Sequence, residues 1–532
     1  MLRYIGLTVV LLAALGLAGL LAWRGTWKID SGKPSPGVSD DAEKSAVAVP
    51  PPEFRKWADP AAVLVLTGNQ HGYLEPCGCS EKQAGGMARR GDLFKQLRAK
   101  EWPVVGLDLG GTVERTRKQT QLKFAAITES MRIMDYRGLG LGPEELRLGP
   151  IFLLSQHVAP ADGSPGLSFL GSNEVFFGTP GMPGGPKQHV ILELGGVKIG
   201  VAMVLGESEQ QGLFPEGGST DVTLTPPAEA IGNALAEFKA TQTEFNVLLS
   251  SADVDESRKL SEAFPQFGLV VSGGGPEDPD GIPEKIGDNL LITVGQKGKH
   301  AGILAIYPSE KGEPSLKFEM VELSQANFEH DPAMDAVMRD YQQSIKDNLF
   351  EVFADMPEGF PEQPGEYVGA QKCGQCHTQA YEKWKTTAHA NAYHSLIEGR
   401  EHFEGTWVPR THDPECLSCH VTGWNPQKVL PYVSGFLPQE IAAERGDPKQ
   451  FELLKGQQCE NCHGPGSIHS EIMAKWQKDP KSIPRDKFQS ARSAMSVALD
   501  ESLCIKCHDG ENSPDFDFQE YWKKIDHSGL RN

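Results

Sequence analysis

The sequence predicts two domains of different fold class: an α/β domain over residues 61–325 and a mainly α-helical, loop-rich domain over residues 367–532. Up to about residue 310, short apolar runs rich in β-branched residues alternate with helix-type stretches, which is typical of sheets covered by helices. The segment PEGFPEQPGEY then breaks this pattern, and eight of the ten cysteines follow it. A chain of 532 residues is long enough for each domain to bury its own core.

The N-terminal residues predict a membrane anchor followed by a tether. Residues 5–23 form an apolar run after Arg3, long enough at ~1.5 Å per residue to cross a hydrocarbon core of ~30 Å. No A-x-A site with a polar lead-in lies directly after the run, which favours an uncleaved signal anchor over residues 1–28 rather than a cleaved signal peptide. Residues 29–60 are rich in Ser, Pro, Gly and charge and predict a flexible linker. We therefore expect a periplasmic protein anchored to the inner membrane.

The formal net charge of -20 indicates which partners to exclude. A surface that binds phosphate groups needs clustered Lys and Arg, so the acidic balance argues against nucleic acid and against an anionic membrane surface as partners. The acidity is more typical of a soluble exported domain.

The α/β prediction depends on individual segments. Helices are predicted over residues 87–99 and 227–240, and an amphipathic helix over residues 332–353 lies within a connecting segment, residues 326–366. The runs that predict strands are AVLVLTG (62–68), VVGLDLG (104–110), HVILELGGVKIGVAMVL (189–205), FNVLLSS (245–251), FGLVVSGGG (267–275) and NLLITVG (289–295).

Eight cysteines form four C-x-x-C-H units. A zinc site or a disulfide needs no histidine directly after the second cysteine, and four chance placements of His would occur on the order of once in a million. The pattern therefore predicts c-type haem attachment, with two thiols added to the haem vinyl groups and the next imidazole as proximal iron ligand. The units are Cys373, Cys376 and His377; Cys416, Cys419 and His420; Cys459, Cys462 and His463; and Cys504, Cys507 and His508. Four units predict four covalent haem c groups.

Further histidines in the second domain predict the sixth iron ligands. Only Met473 and Met495 compete with them, so we expect mostly bis-histidine irons of low potential. His469 is separated from His463 by too few residues to reach the far face of the same haem, which predicts that it binds a neighbouring one. The six spare histidines are His389, His394, His402, His412, His469 and His527.

Several stretches of the second domain resemble the tetrahaem cytochrome c-554 family over about residues 367–528. These stretches are YVGAQKCGQCHTQAYEKWKTTAHANAYHSL, DPECLSCHVTGW, CENCHGPGSIH and FQEYWKKIDHSG. The resemblance implies a periplasmic electron carrier with closely packed haems, mostly bis-histidine, of which one can remain five-coordinate. It also implies distal ligation by His389, His412, His469 and His527, with His394 and His402 in reserve.

The stretches VLVLTGNQHGYLEP, VVGLDLGGTVERT and GLGLGPEELRLG resemble the metallophosphoesterase domain of the 5'-nucleotidase family over residues 61–310, which implies a β-sandwich flanked by helices. In that family these strands carry ligands for two metals that activate water and polarise phosphate. Here one of the family's histidines is kept and most other ligands are replaced, so we expect phosphohydrolase activity to be lost. The ligand positions hold, in chain order, Asn69, His71, Gly111, Pro143, Glu144, Ser251, Gly274 and Pro276.

The two remaining cysteines, Cys77 and Cys79, form a C-x-C pair shortly after His71. They are either a local disulfide or two packed thiols, or they form a metal or redox site with His71 at the edge of the sheet.

The combined hypothesis is a membrane-anchored periplasmic electron-transfer protein that exchanges electrons with periplasmic or membrane redox proteins. The alternatives are a haem-dependent reductase or oxidase of a small nitrogen or sulfur compound at an open iron, and a surviving metal-dependent phosphoesterase.

Overall fold

The computed structural model describes residues 50–530 except 77–82, 116, 158–165, 215–220, 308–313, 355, 357–363, 400–402, 404 and 496–499. The predicted anchor, most of the linker, the cysteine pair Cys77 and Cys79, and His402 lie outside the described residues. The chain from Pro50 onward forms one compact unit. Within the described part, no helix combines the length and the apolar character needed to cross a membrane.

Two six-stranded sheets form the α/β domain. The first has the order β14-β13-β1-β2-β3-β4 and the second the order β11-β12-β10-β9-β7-β6. Four parallel strands lie together in each sheet, with antiparallel strands at the edges. The strands are β1 Ala62–Thr67, β2 Val104–Asp108, β3 Tyr136–Gly140, β4 Ser168–Leu170, β5 Glu174–Phe176, β6 His189–Leu194, β7 Val197–Leu205, β8 Val222–Leu224, β9 Phe245–Ser251, β10 Leu269–Ser272, β11 Glu284–Ile286, β12 Asn289–Thr293, β13 His300–Tyr307 and β14 Ser315–Glu322; β5 and β8 form a separate pair.

Side-chain alternation along the strands explains how the sheets pack. Leu64 and Leu66 of β1 point into a core shared with the second sheet, whereas Val63 and Val65 point to the opposite face and pack under helices. The second sheet does the same, with Leu249 facing the sandwich and Leu248 facing its own helices. A β-sandwich flanked by helices is the predicted fold class, which is confirmed.

The helices of the α/β domain cover the outer faces of both sheets. Residues 87–99 and 227–240 were predicted to be helical, and the structure gives helices with nearly the same bounds. The helices are α1 Met87–Arg98, α2 Lys118–Ile133, α3 Pro143–Arg147, α4 Pro150–Gln156, α5 Glu207–Gln210, α6 Pro227–Thr241 and α7 Val254–Ala263.

The connecting helix predicted over residues 332–353 is two helices, α8 (Ala333–Asp347) and α9 (Leu349–Ala354), with a break at Asn348. The prediction of one continuous helix is therefore wrong. The physical reason is that the two apolar faces belong to different cores: α8 packs on the α/β domain, whereas α9 packs in the core of the helical domain.

The remainder of the chain is built from short helices with little sheet. Its core includes the buried residues Leu417, Val421 and Phe436. The elements are α10 Ala370–Gly374, α11 Thr378–Lys385, α12 Ala392–Glu398, α13 Pro414–His420, β15 Trp424–Asn425, β16 Leu430–Pro431, α14 Gln439–Glu444, α15 Lys449–Leu453, α16 Cys459–His463, α17 Ser467–Lys478, α18 Arg485–Ala494, α19 Glu501–Cys504 and α20 Phe518–Ile525. The mainly helical fold class is confirmed.

A buried polar cluster joins the two domains where α2 meets the start of α13. Lys123 of α2 lies 2.5 Å from the carboxylate of Glu415. Asp413 caps α13 and also accepts hydrogen bonds from Gln119 at 2.7 Å and from Gln342 at 2.9 Å. Burial alone would lower the pKa of Lys123, but the charges of Glu415 and Asp413 outweigh it and raise that pKa, so the lysine stays charged.

Candidate functional site: haem attachment and the remnant cleft

Each C-x-x-C-H unit lies on a helical turn. Residues i, i+3 and i+4 share one face of a helix, so the two thiols and the imidazole of a unit project to the same side. In the first unit, the backbone N–H of His377 donates to the carbonyl of Cys373 at 2.8 Å, and the fourth unit repeats this bond between His508 and Cys504 at 2.9 Å. The second and third units lie on α13 and α16. This arrangement fits the covalent attachment of haem c.

Three of the four proximal histidines face a second imidazole. Two imidazoles bound at ~2 Å on opposite sides of one iron would place their ring centres about 6 Å apart. The observed ring-centre distances are 6.3 Å for His377 and His469, 6.0 Å for His463 and His527, and 6.1 Å for His508 and His389. The structure thus places three of the distal histidines implied by the resemblance, His469, His527 and His389, each opposite a proximal histidine.

The hydrogen bonds of these rings leave one nitrogen available to a metal. The Nδ1 atoms of His463, His469 and His527 lie 2.8–3.1 Å from the backbone carbonyls of Met495, Ala491 and Ile525, to which they donate. A histidine that binds a metal usually donates a hydrogen bond from the N–H of its other ring nitrogen. This bond fixes the orientation of the ring and leaves Nε2 for the metal.

Burial lowers the pKa of His377, of His389 and of His508, so each favours the neutral form that binds metals.

His420, the proximal histidine on α13, has different surroundings. Its Nδ1 donates to the carbonyl of Ala392 at 2.6 Å. Among the described residues, no histidine ring lies opposite it at a comparable distance. His412, expected from the resemblance as a distal ligand, instead directs Nε2 toward Glu440 at 3.5 Å and Nδ1 toward Thr411 at 3.2 Å.

The reserve histidine His394 is bound to Glu398 at 3.0 Å, with 59% of its side chain exposed. The structure therefore does not bring His394 to a proximal imidazole.

Cysteines of different units lie beside one another. A hydrogen bond joins the thiols of Cys373 and Cys459, raising the pKa of the first and lowering that of the second. A second hydrogen bond joins Cys419 and Cys507 and lowers the pKa of Cys419 to about 7. A sulfur atom that carries haem is a thioether and no longer titrates. The contacts between the thiols nevertheless show that the attachment sites are adjacent.

The third contact between units involves Cys462. Burial and then the nearby Cys504 raise the pKa of Cys462 to about 11. The four units therefore follow one another in space in the order His377, His463, His508, His420.

A cavity of about 1000 Å³ opens along the second and fourth units. Its wall includes Cys416, Cys419 and His420 as well as Cys507 and His508. This volume is at the upper end for small-molecule pockets, as a large planar cofactor requires. The α/β domain also contributes to the wall, through residues 72–76 and Lys123. The pocket that would hold the haem on Cys416 and Cys419 is therefore shared by both domains.

The cleft with the positions expected from the phosphoesterase resemblance lies at the carboxyl ends of β1, β2 and β3. Asn69, at a position where the resemblance implies a metal-binding Asp, donates its amide to the carbonyls of Gly273 and Gly295, both at 3.0 Å. A Cβ atom at Gly111 would lie 2.7 Å from Asn69 Oδ1, and one at Gly274 would lie 2.7 Å from the amide nitrogen of Val254. The structure therefore leaves no space for a ligand side chain at Gly111 or Gly274.

Neighbouring carboxylates in the cleft have structural partners. Glu145 accepts hydrogen bonds from the backbone N–H groups of Gly111, Thr112 and Gly142, while burial and the nearby Glu144 raise its pKa to about 7. Among the described residues, no group of three or more His, Cys, Asp or Glu side chains is arranged to hold a metal ion. Of the other replaced positions, Pro143 begins α3, Ser251 ends β9 and Pro276 is exposed.

A loop of the helical domain occupies the cleft. Glu511 accepts a hydrogen bond from Tyr73 at 2.5 Å, pairs with Lys297 at 2.5 Å, and receives the side-chain amide of Gln83 on its backbone carbonyl at 3.0 Å. His71 lies close enough for Glu511 to affect its pKa, which burial lowers. This loop directly follows the fourth haem-attachment unit.

Comparison with known proteins agrees with this geometry for the helical domain. Residues 372–464 match the family described as cytochrome c554 and c-prime. The helical domain resembles cytochrome c554. The chain is 31% identical over 159 residues to cytochrome c-554 of Nitrosomonas europaea, and the alignment covers 28% of this chain and 60% of the length of that protein. The match supports covalently bound haem c in what we now call the cytochrome domain.

Solved structures resemble a larger part of the chain. The 5'-nucleotidase precursor from Thermus thermophilus aligns with a TM-score of 0.46 and 21% identity, covering 61% of this chain and 67% of its own. The NAD nucleotidase of Haemophilus influenzae aligns with a TM-score of 0.44 and 16% identity, covering 61% of this chain and 68% of its own. The calcineurin-like phosphoesterase YfkN from Bacillus subtilis aligns with a TM-score of 0.41 and 13% identity, covering 53% and 97%.

Sequence reasoning missed the residues that join the domains at the site. Lys123, Arg410 and Glu511 belong to no motif that the sequence shows. Their partners come from distant parts of the chain, so no local pattern indicates them.

We predict that the α/β domain does not hydrolyse AMP or phosphomonoesters with Mn²⁺, Mg²⁺ or Zn²⁺ added, because its ligand positions are replaced and the cleft has closed. The measurement is phosphate release by the purified protein. The single change Gly111→Asp should not create activity, since its Cβ would collide with Asn69. Metal-dependent turnover that disappears in His71→Ala would contradict the prediction.

We also predict that His469→Ala converts one haem to a high-spin, five-coordinate state while the haem content stays unchanged, because His469 faces His377 and not its neighbour His463. Electron paramagnetic resonance measures the added high-spin signal. His394→Ala is the matched control, because this exposed histidine is bound to Glu398, and it should leave the spectrum unchanged. An unaltered spectrum for His469→Ala would show that His469 is not a ligand.

Proposed function

We propose that the chain is a membrane-anchored periplasmic cytochrome with four covalent haems that carries electrons between redox proteins. The observation that carries the proposal is the set of three imidazole pairs, each pair spaced as the two axial ligands of one iron. Bound haem c supplies a one-electron iron couple. The protein supplies the axial ligands, their orientation through backbone hydrogen bonds, and the spacing of the attachment sites.

The order of the attachment sites supports transfer along a single line. Adjacent units share neighbouring cysteines, so cofactors bound to them would lie edge to edge with no long gap. The line begins at the His377 unit, where Cys376 is exposed, and ends at the His420 unit, where the α/β domain contributes to the pocket wall. We therefore assign docking of a redox partner to the His377 end.

The α/β domain serves in this proposal as a scaffold. Its remnant cleft holds the loop after the fourth unit through Tyr73, Lys297 and Gln83, and Lys123 holds the start of α13. These two contacts lie next to the His508 and His420 attachment units. The α/β domain therefore fixes the end of the haem line that is opposite to the proposed docking end at His377.

A test of the proposal is the haem content. The intact mass of the periplasmic protein should exceed that of the polypeptide by about 2.5 kDa, at ~0.6 kDa for each of four haems. Peptide mapping should place one haem on each cysteine pair. A mass increase that corresponds to two haems or fewer would exclude the tetrahaem line.

A second candidate function is reduction or oxidation of a small nitrogen or sulfur compound at the His420 iron. The observation that favours it is that His420 alone among the four proximal histidines has no opposing imidazole in the described part of the chain.

We predict that the reduced protein binds one carbon monoxide molecule per chain, detected by its absorption change. His402, outside the described residues, provides the control: if the native protein binds no carbon monoxide and His402→Ala binds it, His402 is the sixth ligand and this candidate fails.

A further inference from the structure

Arg410 is a buried cation with a polar atom that has no partner. Its side chain is 16% exposed, and its Nε atom is buried without a hydrogen-bond partner among the described residues. The residue lies in the wall of the 1000 Å³ cavity along the second and fourth haem units. A buried donor left unpaired costs about 1–3 kcal/mol, so such a group normally faces a ligand or solvent.

The guanidinium is held in place from several sides. It lies over the ring of Trp407, with its central carbon 4.2 Å from the ring centre. The backbone N–H of Arg410 donates to the carbonyl of Leu396 at 2.9 Å. Its Nη2 atom pairs with the carboxylate of Glu75, which belongs to the α/β domain. Because the plane of the fork is fixed, its remaining donor points in a defined direction.

Arg410 also lies near a haem-attachment cysteine. Burial opposes its charge, but Glu75 and then Cys416 raise the pKa of Arg410. Arg410 precedes Cys416 by six residues at the start of the same segment. A haem bound to Cys416 and Cys419 would therefore occupy the cavity beside this guanidinium.

The ligand chemistry that fits is a carboxylate. Haem c carries two propionates, and the free Nε–H of a guanidinium donates a charge-assisted hydrogen bond to a carboxylate oxygen. The other cations in the cavity wall are less suited, because Lys123 is engaged by Glu415 and Lys506 is exposed. We propose that Arg410 binds a propionate of the haem on Cys416 and Cys419, with Glu75 of the α/β domain holding the guanidinium in position.

This inference rests on the haem assigned to Cys416 and Cys419 in the proposed function. It adds that the α/β domain reaches this haem through two residues in series, Glu75 and Arg410. A positive charge beside the haem favours the reduced iron, which carries one positive charge fewer than the oxidised iron, so removal of the guanidinium lowers the reduction potential.

The experiment compares redox titrations of the holoprotein and of Arg410→Met. The reduction equilibrium constant of one haem should fall roughly tenfold while the other three stay unchanged. Resonance Raman spectra should show an altered propionate bending mode. Arg410→Lys keeps the positive charge but not the planar guanidinium. It should therefore restore most of the reduction potential of this haem, but not the native propionate bending mode.

Arg137→Met is the matched control. Arg137 has 20% of its side chain exposed, one nitrogen paired with Asp135 and another buried without a hydrogen bond, but it lies on β3 and outside the cavity wall. This variant should leave all four potentials unchanged. In a protein that lacks the second haem, made by Cys416→Ser with Cys419→Ser, Arg410→Met should also have no effect on the remaining three.

The outcomes separate the two proposals. If peptide mapping finds no haem on Cys416 and Cys419, the proposed function fails at this site. If the haem is attached but neither its potential nor its propionate vibration changes in Arg410→Met and in Arg410→Lys, the inference about Arg410 is overturned and the proposed function stands. An equal effect of Arg137→Met would also overturn it, because the change would then be a general consequence of losing an arginine.

Discussion

The ion pair between Lys123 and Glu415 is the contact on which the arrangement of the two domains depends. The side chain of Lys123 is 11% exposed, and that of Glu415 is 39% exposed. A charge as enclosed as Lys123 needs a partner, so the pairing fixes where α13 lies against α2. Since α13 carries Cys416, Cys419 and His420, this contact also fixes the second haem unit against the α/β domain.

The cleft at the carboxyl ends of β1, β2 and β3 is lined by polar groups that have partners within the chain. These groups are backbone N–H and carbonyl groups and a few charged side chains. The structure pairs them with each other, through Asn69 and Glu145, or with the loop that carries Glu511. The loop binds Tyr73, and it also binds Lys297, which pairs with Glu277 at 2.9 Å as well.

The sequence could predict the features that depend on a pattern within one segment, but not the contacts between distant segments. The strands and the attachment triplets follow from short apolar runs and from C-x-x-C-H spacing, which a single segment contains, whereas the sandwich was expected from the resemblance to the 5'-nucleotidase family. The pairing of distal with proximal histidines depends on how α17, α18 and α20 pack, so His469 and His527 were expected as ligands without known partners, and the structure does not bring His412 to a proximal ring. The break at Asn348 was missed because both halves of that segment are amphipathic, although they serve different cores.

The position of the α/β domain makes the two ends of the haem line unequal. The His377 end has an exposed cysteine, whereas the His420 end is enclosed by residues 72–76 and Lys123. The proposed docking of a protein partner is therefore assigned to the first end, and the second end is left for a small molecule. The proposed electron transfer between proteins and the proposed chemistry at an open iron would therefore be compatible in one chain, since they would use opposite ends. The enclosed end is also where Glu75 and Arg410 bring charge from both domains to one pocket, so the environment of an iron bound there would depend on the α/β domain and not on the helical domain alone.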